Sequence, residues 1–357
     1  MRVAVIGTGL IGASVGLAAR RAGHEVPGWD ADAATLASAV ERGAVEPVSS
    51  ADEAAAGAGL VVVAVPVTRL ADAVAAALAA APDATVTDVG STKSVLARTV
   101  TDPRFVGGHP VAGAEVRGPE GARADLFDGA TWFLAPQAAT DSARYRDLHA
   151  FVASLGAVPV AIDPEAHDRL LALVSHLPHA LANLLLNQVG AAPIEGHDPL
   201  AAAGASFREM TRIAGANPRI WVDIFLDNSA ELRTALAEHR RLVEQLESAL
   251  ELGDAGFLAR WIGEAATKRQ ELLRDAFEET DELFRVQVHV ADRPGILAAI
   301  MQALGAERIN IEDLELHHVS RERGGTLAIL ISGEEAAHRA ASVLGTEGYD
   351  VDVAPEL

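Results

Sequence analysis

The sequence predicts three successive domains: a mostly parallel, doubly wound α/β domain, an all-α domain, and a small domain with the element order βαββαβ. Three observations support this division. Up to residue 164, short strand-like runs alternate with helical patterns, as in a doubly wound sheet. From 165 to 282 the strand pattern disappears, and from 283 to 357 apolar residues alternate with a period of two. We therefore expect domains at 1–164, 165–282 and 283–357.

A regular succession of short apolar runs predicts that the first domain is α/β. Its predicted strands cover residues 2–6, 25–29, 60–65, 85–89, 105–108, 131–135 and 158–162, and its clearest helices cover 10–22 and 68–81. The run at 60–65 is rich in valine, which is typical of a buried strand. The second helix is rich in alanine and ends at Pro82, since proline cannot continue a helix.

The second domain is predicted to be helical almost throughout. Apolar residues recur with helical spacing over 222–252, which predicts one long helix with an apolar seam. Gly253 breaks it, and 257–277 continues as another amphipathic helix. In a single chain, such a pair of helices would leave much of its apolar seam exposed. Packing within the chain is one interpretation, but we favour a homodimer interface, because closed two-fold dimers are common.

The third domain is predicted from a return to strand periodicity. The expected elements are a strand at 284–290, a helix at 296–304, strands at 309–317 and 326–331, a helix at 334–344 and a strand at 349–353. The order βαββαβ is that of a ferredoxin-like domain.

Composition limits the classes of partner. The chain has 29 basic and 50 acidic residues, for a formal charge of −21, whereas nucleic acids and anionic membranes attract basic surfaces. With no cysteine it has no disulfide and no thiolate metal ligand. Apolar runs such as 59–67 are far shorter than the ~20 residues that span a bilayer, and the N-terminal run is too short for a signal peptide. We expect a cytoplasmic protein with no nucleic-acid or membrane partner.

A glycine-rich turn points to a dinucleotide. Gly7, Gly9 and Gly12 follow the first strand and open a helix at Leu10-Ile11, where the backbone can approach a pyrophosphate. Asp30 ends the second strand, where a carboxylate accepts hydrogen bonds from ribose hydroxyls and repels a 2′-phosphate. We predict NAD rather than NADP as the cofactor. A glycine turn that holds another ligand is the alternative.

Three polar side chains follow the later strands of the predicted sheet. Ser91 could contact cofactor or substrate, or cap the following helix. Lys93 is either functional or a solvated surface lysine. His109 is expected just after a strand end, where a neutral imidazole could accept a proton from a substrate hydroxyl as hydride leaves the same carbon. Capping of a turn is the alternative role for His109.

Two further clusters lie in the helical domain. His176 and His179 are three residues apart at an expected helix start and share one face. Without a third ligand a metal site is disfavoured, and a polar site for substrate or plain structural capping is the favoured role. Arg208 and Arg212 are suited to anchoring a substrate carboxylate, although either could pair with Glu209 or face solvent.

Taken in order, the motifs of residues 1–282 resemble the prephenate/arogenate dehydrogenase family of tyrosine biosynthesis. They are Gly7-x-Gly9-Leu10-Ile11-Gly12-x-Ser14, Asp88-x-Gly90-Ser91-x-Lys93, Gly107-Gly108-His109-Pro110-x-Ala112-Gly113, Ser175-His176-Leu177-Pro178-His179, Thr211-Arg212-Ile213-Ala214 and Trp221-x-Asp223-Ile224-Phe225-x-x-Asn228. The tail, with Asp292-Arg293-Pro294-Gly295-Ile296-Leu297 and Ile309-Asn310-Ile311, resembles an ACT domain, a module that often binds an amino acid.

The resemblance implies NAD-dependent oxidative decarboxylation of prephenate to 4-hydroxyphenylpyruvate. The resemblance implies that His109 takes the proton of the 4-hydroxyl and that Ser91 orients this hydroxyl or the nicotinamide. It also implies that Arg212 binds a substrate carboxylate, that His179 is a second histidine of the substrate pocket, and that Trp221 lines this pocket. Glu209 could favour the amino group of arogenate, which makes arogenate dehydrogenase an alternative.

Two other classes of protein are alternatives to this activity. A β-hydroxyacid dehydrogenase needs a lysine in the helical domain, and only Lys268 follows Lys93. A non-catalytic sensor of NAD and an amino acid would fit the tail, but the set of polar site residues argues against it.

The ACT-like tail implies feedback by an aromatic amino acid. We expect tyrosine to bind at Asp292, Pro294, Gly295 and Asn310, because the turn exposes backbone N–H groups to a carboxylate. The alternative is that this module only dimerises or stabilises the protein.

Overall fold

The structure is a computed structural model of the 357-residue chain. It describes all residues except 114, 115, 117, 192, 193, 196, 277–281, 292, 321–323, 356 and 357. Backbone contacts group the chain into two compact units, Met1–Arg240 and Arg241–Leu357. Each unit is described by itself.

The first unit is built around an eight-stranded sheet. Its strands are β1 (Val3–Ile6), β2 (Pro27–Trp29), β3 (Glu46–Pro47), β4 (Leu60–Val63), β5 (Thr85–Asp88), β6 (Phe105–Pro110), β7 (Thr131–Ala135) and β8 (Val158–Ala161). The spatial order is β3-β2-β1-β4-β5-β6-β7-β8, and only the β6–β7 pair is antiparallel. The predicted mostly parallel sheet is therefore confirmed.

Helices cover both faces of this sheet, which explains why β1 and β4 are apolar at every position. The helices are α1 (Leu10–Arg21), α2 (Ala33–Glu41), α3 (Ala51–Ala55), α4 (Leu70–Ala80), α5 (Ser94–Thr99) and α6 (Ser142–Ser154). Val3 and Val5 of β1 belong to one core, and Ala4 and Ile6 belong to the core on the opposite face. A strand buried on both sides reads as a continuous apolar run.

Residues 164–276 are mostly helical where the structure describes them, as predicted. The elements are α7 (Pro164–Leu171), a π-helical turn (Ala172–His176), α8 (Leu177–Gly190), α9 (Ala205–Thr211), α10 (Pro218–Asp227), α11 (Ser229–Leu252) and α12 (Ala255–Ala276).

The expected helix start at Ser175–His179 coincides with Leu177, the first residue of α8, but no loop precedes it. These residues lie within a continuous helical run over 164–190, at the junction between the π-helical turn and α8. Pro178 has no N–H to donate to the preceding turn, and a π-helical turn is a common local adjustment in such a run. The turn aims His176 and His179 toward the same neighbour, as shown below.

The single long helix predicted over 222–252 is wrong. The chain breaks at Asn228, which ends α10 with φ −99° and ψ 28°. Asn228 is buried, and its side-chain amide donates to the carbonyl oxygen of Asp168, 2.8 Å away. A hydrogen bond to a distant helix thus replaces the local helical pattern.

The second unit ends in a four-stranded antiparallel sheet with the order β10-β11-β9-β12. Its elements are β9 (Leu283–Val290), α13 (Ile296–Ala306), β10 (Asp313–Ser320), β11 (Gly324–Ser332), α14 (Glu334–Thr346) and β12 (Asp350–Pro355). The predicted order βαββαβ is observed. Alternate β9 residues, Val286 and Val288, join Ile300, Leu304 and Ile329 in its core.

One helical run in the described residues, 164–190, is long and apolar enough to cross a membrane by length and composition alone. It carries His167, Asp168 and His176, which are buried and hydrogen-bonded to other elements of the first unit. These polar contacts tie one side of the run to the first unit, while 22% of its most apolar window is buried.

Candidate active site

The predicted site residues gather at one edge of the eight-stranded sheet. The glycine turn follows β1, Asp30 follows β2, the turn with Ser91 follows β5, and His109 lies near the end of β6. Since β1, β2, β5 and β6 run parallel through this part of the sheet, their carboxyl ends meet at the same edge. This is where doubly wound sheets bind ligands.

The glycine turn has the geometry of a dinucleotide site. Gly7 has φ +92°, and a Cβ there would lie 2.4 Å from the carbonyl oxygen of Ala64. A Cβ on Gly12 would lie 1.9 Å from the carbonyl oxygen of Gly7, so helix and strand need glycine to pack this closely. At Gly9 a Cβ would meet nothing within 4 Å. Gly9 caps α1 without a side chain, so the first N–H groups of the helix can meet a phosphate.

Two neighbours of this turn agree with the prediction. Leu10 and Ile11 begin α1 and pack partly buried against the sheet core. The Asp30 carboxylate accepts hydrogen bonds from the backbone N–H groups of Thr8, at 2.6 Å, and Asp32, at 2.9 Å. A carboxylate retains further lone pairs for ribose hydroxyls. The residues present therefore fit NAD.

His109 lies within a strand rather than after it, which corrects the expectation. It belongs to β6 and is opposite Phe133 of β7. Its Nδ1 lies 2.9 Å from Nε2 of His167, and Nδ1 of His167 lies 2.8 Å from Oδ1 of Asp168. The exposed fractions of His109, His167 and Asp168 are 8%, 0% and 2%. The base candidate therefore ends a buried row of three titratable side chains.

Burial lowers the pKa of His109 well below its usual value. The neighbouring His167, Lys93 and His176 lower this pKa further, whereas Asp168 raises it. His109 is consequently neutral at physiological pH, as a general base must be.

The structure of the turn after β5 excludes one alternative role for Ser91 and one for Lys93. The backbone N–H groups of Lys93 and Ser94 donate to the Asp168 carboxylate, each at 2.8 Å, so Asp168 rather than Ser91 caps α5. Ser91 is half-buried in this turn. Lys93 is not a surface lysine, because its buried Nζ pairs with Asp88.

His176, His179 and Trp221 form an aromatic cluster. The ring of His179 stacks on Trp221 with centroids 3.4 Å apart and planes at 24°, and His176 meets Trp221 edge-on at 6.1 Å. Nδ1 of His179 lies 3.1 Å from the carbonyl oxygen of Ser175, which leaves Nε2 as the acceptor nitrogen. Burial lowers the pKa of His179, and it lowers the pKa of His176 to about 4.

Arg212 and Glu209 are exposed residues at the end of α9. Glu209 lies in α9, and Arg212 begins a 3₁₀ turn (Arg212–Gly215) that packs against α8, the helix of His179. Arg208 donates instead to the carbonyl oxygen of Ala203, 2.8 Å away. Within the described chain, no hydrogen bond joins Arg212 or Glu209 to the histidine cluster. The structure therefore places Arg212 in a turn beside the helix that carries His179.

The predicted regulatory residues are only partly brought together. Pro294 and Gly295 line a cavity of about 460 Å³ between the end of β9 and the start of α13, with Leu316 of β10. Gly295 has φ +87° and caps α13. Asn310 is not among the lining residues, and its amide donates to Glu312. Asp292 lies outside the described residues.

Sequence reasoning missed His167 and Asp168. Their signal was local and weak: an adjacent histidine and aspartate in the first turn and a half of a helix that starts at Asp163-Pro164. Nothing in that pattern pairs His167 with His109, because the two are 58 residues apart.

Comparison with known proteins gives consistent matches along the chain. Residues 15–161 match the family model "Prephenate dehydrogenase, nucleotide-binding domain", and residues 163–264 match "Prephenate dehydrogenase, dimerization domain". The chain is 30% identical over 352 residues to a prephenate dehydrogenase of Bacillus subtilis (strain 168), covering 95% of this chain and 94% of that relative. It is 34% identical over 225 residues to a cyclohexadienyl dehydrogenase of Zymomonas mobilis, covering 61% and 76%.

Two solved structures have the same fold over most of this chain. Prephenate dehydrogenase from A. aeolicus, in complex with hydroxyphenyl propionate and NAD+, matches with a TM-score of 0.72 and 30% identity, covering 76% of this chain and 97% of its own. Synechocystis arogenate dehydrogenase matches with a TM-score of 0.68 and 28% identity, covering 76% and 100%. On these grounds the chain belongs to the prephenate dehydrogenase family.

Proposed function

We propose that this protein oxidises and decarboxylates prephenate to 4-hydroxyphenylpyruvate, with NAD as cofactor. The observation that carries the proposal is the position of a buried, neutral His109 at the sheet edge that also carries the glycine turn and Asp30. The relative from A. aeolicus binds an aromatic acid together with NAD+, which supports the same pairing of ligands here.

The chemistry assigned to His109 is proton transfer. Its Nδ1 is engaged by His167, so Nε2 is the nitrogen available to a substrate hydroxyl. Nε2 accepts the proton of the 4-hydroxyl while hydride leaves C4 of the ring. The bond from the ring to its carboxylate then breaks, CO₂ leaves, and the released electron pair makes the ring aromatic, after which the phenolate oxygen takes a proton back. Bound NAD would supply the hydride acceptor. A positioned base of this kind contributes about 10²–10⁴-fold to the rate.

The remaining site residues are proposed to hold the substrate. Arg212 offers a guanidinium fork to one carboxylate of a dianionic substrate in an acidic protein. His179 presents Nε2 as an acceptor and, with the stacked Trp221, forms a flat wall suited to a ring. Ser91 is proposed to orient the hydroxyl or the nicotinamide from the turn after β5.

We also propose that the protein acts as a homodimer through its helical segment. Large apolar side chains on this segment are exposed in the single chain, among them Leu173, Val174, Leu184, Ile220 and Leu226. Where exposed apolar side chains adjoin, they mark a surface that another protein covers. The match of 163–264 to a dimerization domain supports a second copy of this chain as the partner. The cytoplasmic location stays a prediction.

We also propose that the tail of the chain is an ACT-like regulatory domain. The 460 Å³ cavity beside Pro294 and Gly295 suits an amino acid, and we propose tyrosine as an inhibitor that binds there. Ala298→Trp should fill the cavity and abolish tyrosine binding measured by calorimetry, together with tyrosine inhibition. Ala299→Trp, on the next and also exposed residue, should retain both. Unchanged tyrosine sensitivity in the Ala298 variant would count against the site.

The activity is tested by NADH formation at 340 nm. Prephenate and NAD should give a signal with the full chain, and His109→Asn should reduce kcat by about 10²–10⁴-fold. Turnover of arogenate but not prephenate would make it an arogenate dehydrogenase. Binding of NAD with no turnover of either compound would favour the non-catalytic sensor.

A further inference from the structure

We propose that His167 and Asp168 are positioning residues that hold His109 in the tautomer with a free lone pair on Nε2. The proposal rests on the proposed role of His109 as the base. It concerns the two side chains behind His109, neither of which touches the substrate edge of that ring. The two contacts in the row are 2.9 Å and 2.8 Å long, and all three side chains are buried.

The direction of the hydrogen bonds follows from the charge of Asp168. Burial alone would raise the pKa of Asp168, but hydrogen bonds from His167, Ser94 and Lys93 outweigh it and hold the pKa below its usual value. An ionised carboxylate can only accept, so Nδ1 of His167 donates to it. The proposal gives His167 one ring proton, on Nδ1, so that its Nε2 accepts from Nδ1–H of His109. The lone pair of His109 is left on Nε2.

Asp168 also stabilises the protonated form of His109. When Nε2 takes a proton, a cation forms in a buried place where solvent cannot stabilise it. Asp168 raises the pKa of His109, whereas His167, Lys93 and His176 lower it. These are the titratable and charged groups that face the ring from α7, the turn after β5 and the π-helical turn. The carboxylate therefore offsets part of the cost of protonation.

The row is fixed in place from several sides. Asp168 accepts from the backbone N–H groups of Lys93 and Ser94, and its carbonyl oxygen accepts from Asn228. Phe133 packs edge-on against His167, with centroids 5.4 Å apart and planes at 83°. Because Asp168 also caps α5, a test must separate positioning of His109 from plain structural support.

The first test reads the tautomer directly, without cofactor or activity. In ¹⁵N-histidine NMR of the full chain, signals missing from His109→Asn identify His109 among the 12 histidines. In the wild type the proton should be on Nδ1. His167→Leu removes the nitrogen that accepts from Nδ1–H of His109, so both tautomers of His109 should be populated. The loss of kcat should be at most about 10⁴-fold, the largest contribution expected of a positioned base. His167→Gln keeps an acceptor oxygen and should retain more of both the tautomer and kcat.

The second test separates positioning from capping by the pH profile. Asp168→Asn removes the charge that raises the pKa of His109, so the acidic limb of kcat/KM should move to lower pH and the plateau should fall. Asp163→Asn is the matched control, since Asp163 caps α7 in the same helical run and faces solvent more openly. Its profile should keep the wild-type midpoint.

Three outcomes would overturn the proposal: a wild-type His109 with its proton on Nε2, an unchanged tautomer in His167→Leu, or an unmoved acidic limb in Asp168→Asn. Failure of the proposed function is distinct from these, since it would appear as absent prephenate turnover by the wild type while the NMR signals still report the hydrogen bonds.

Discussion

Lys93 and Asp88 form an ion pair that is closed to solvent, with side-chain exposures of 1% and 0%. The same carboxylate accepts from the backbone N–H groups of Gly90, at 2.8 Å, and Gly108, at 3.0 Å. It thereby ties the turn of Ser91 to the strand of His109. The pair sets the spacing between two parts of the candidate active site.

We expect Lys93→Met to be strongly destabilising. The substitution leaves the buried Asp88 carboxyl without its partner, and loss of one partner of a buried pair costs about 3–5 kcal/mol. The free energy of unfolding, measured in urea, should fall by that amount. Lys268→Met removes the other lysine of the chain, on the exposed side of α12, and should have little effect. Equal losses in the two variants would contradict the account.

Stability should fall as pH is lowered from about 6.5 toward 4. The pKa of His176 in the folded protein is about 4, so between these values the unfolded chain binds a proton that the folded chain does not. Unfolding is therefore favoured at the acid end. The urea midpoint should drop less steeply with pH in His176→Asn than in the wild type. His149→Asn, at an exposed position of α6, should keep the wild-type slope.

Removing the charge of Asp30 should relax the preference for NAD. Asp30→Asn keeps the size of the side chain but no longer repels a 2′-phosphate, an interaction of about 1 kcal/mol at 4 Å in water. We expect the KM for NADP to fall roughly fivefold relative to the KM for NAD. Asp32→Asn should leave the ratio unchanged, because Asp32 caps α2 and asparagine is an equally good cap. A constant ratio in Asp30→Asn would refute the assignment.

Arg212 is expected to act in substrate binding. Arg212→Lys keeps the charge but loses the bidentate fork, and a hydrogen bond to a charged group contributes about 1.5–3 kcal/mol. The KM for prephenate should therefore rise about 10–100-fold, while the KM for NAD stays constant. Arg208→Lys is the comparison, because Arg208 donates to Ala203 in the structure. A larger effect at Arg208 would reassign the anchor.

Glu209 provides a test of substrate choice. It lies in α9 one helical turn before Arg212, where its charge could attract the amino group of arogenate. In Glu209→Gln the ratio of kcat/KM for arogenate to that for prephenate should decrease. The same measurement on Glu231→Gln, in the first turn of α11, controls for a general change in charge. An unaltered ratio in Glu209→Gln would end this hypothesis.

Local sequence patterns were enough to predict the fold class of each segment, most of its strands and the glycine turn. Strands buried on both faces, amphipathic helices and a turn that needs positive φ each leave a local pattern, because the period of the side chains follows the backbone conformation. The sheet of the first unit, the βαββαβ order and the Gly7–Gly12 turn were therefore predictable from neighbouring residues.

Which polar groups meet depends on how the chain folds over long distances in sequence. Asp168 caps α5 through an N–H group 75 residues away, Asn228 breaks a helix to reach the chain 60 residues before it, and His167 meets His109 across 58 residues. Such hydrogen bonds replace the local pairing that a pattern predicts, and they exist only once packing has removed water from both partners. Separation along the chain hides them from any periodicity, so the row behind His109 emerged only from the folded structure.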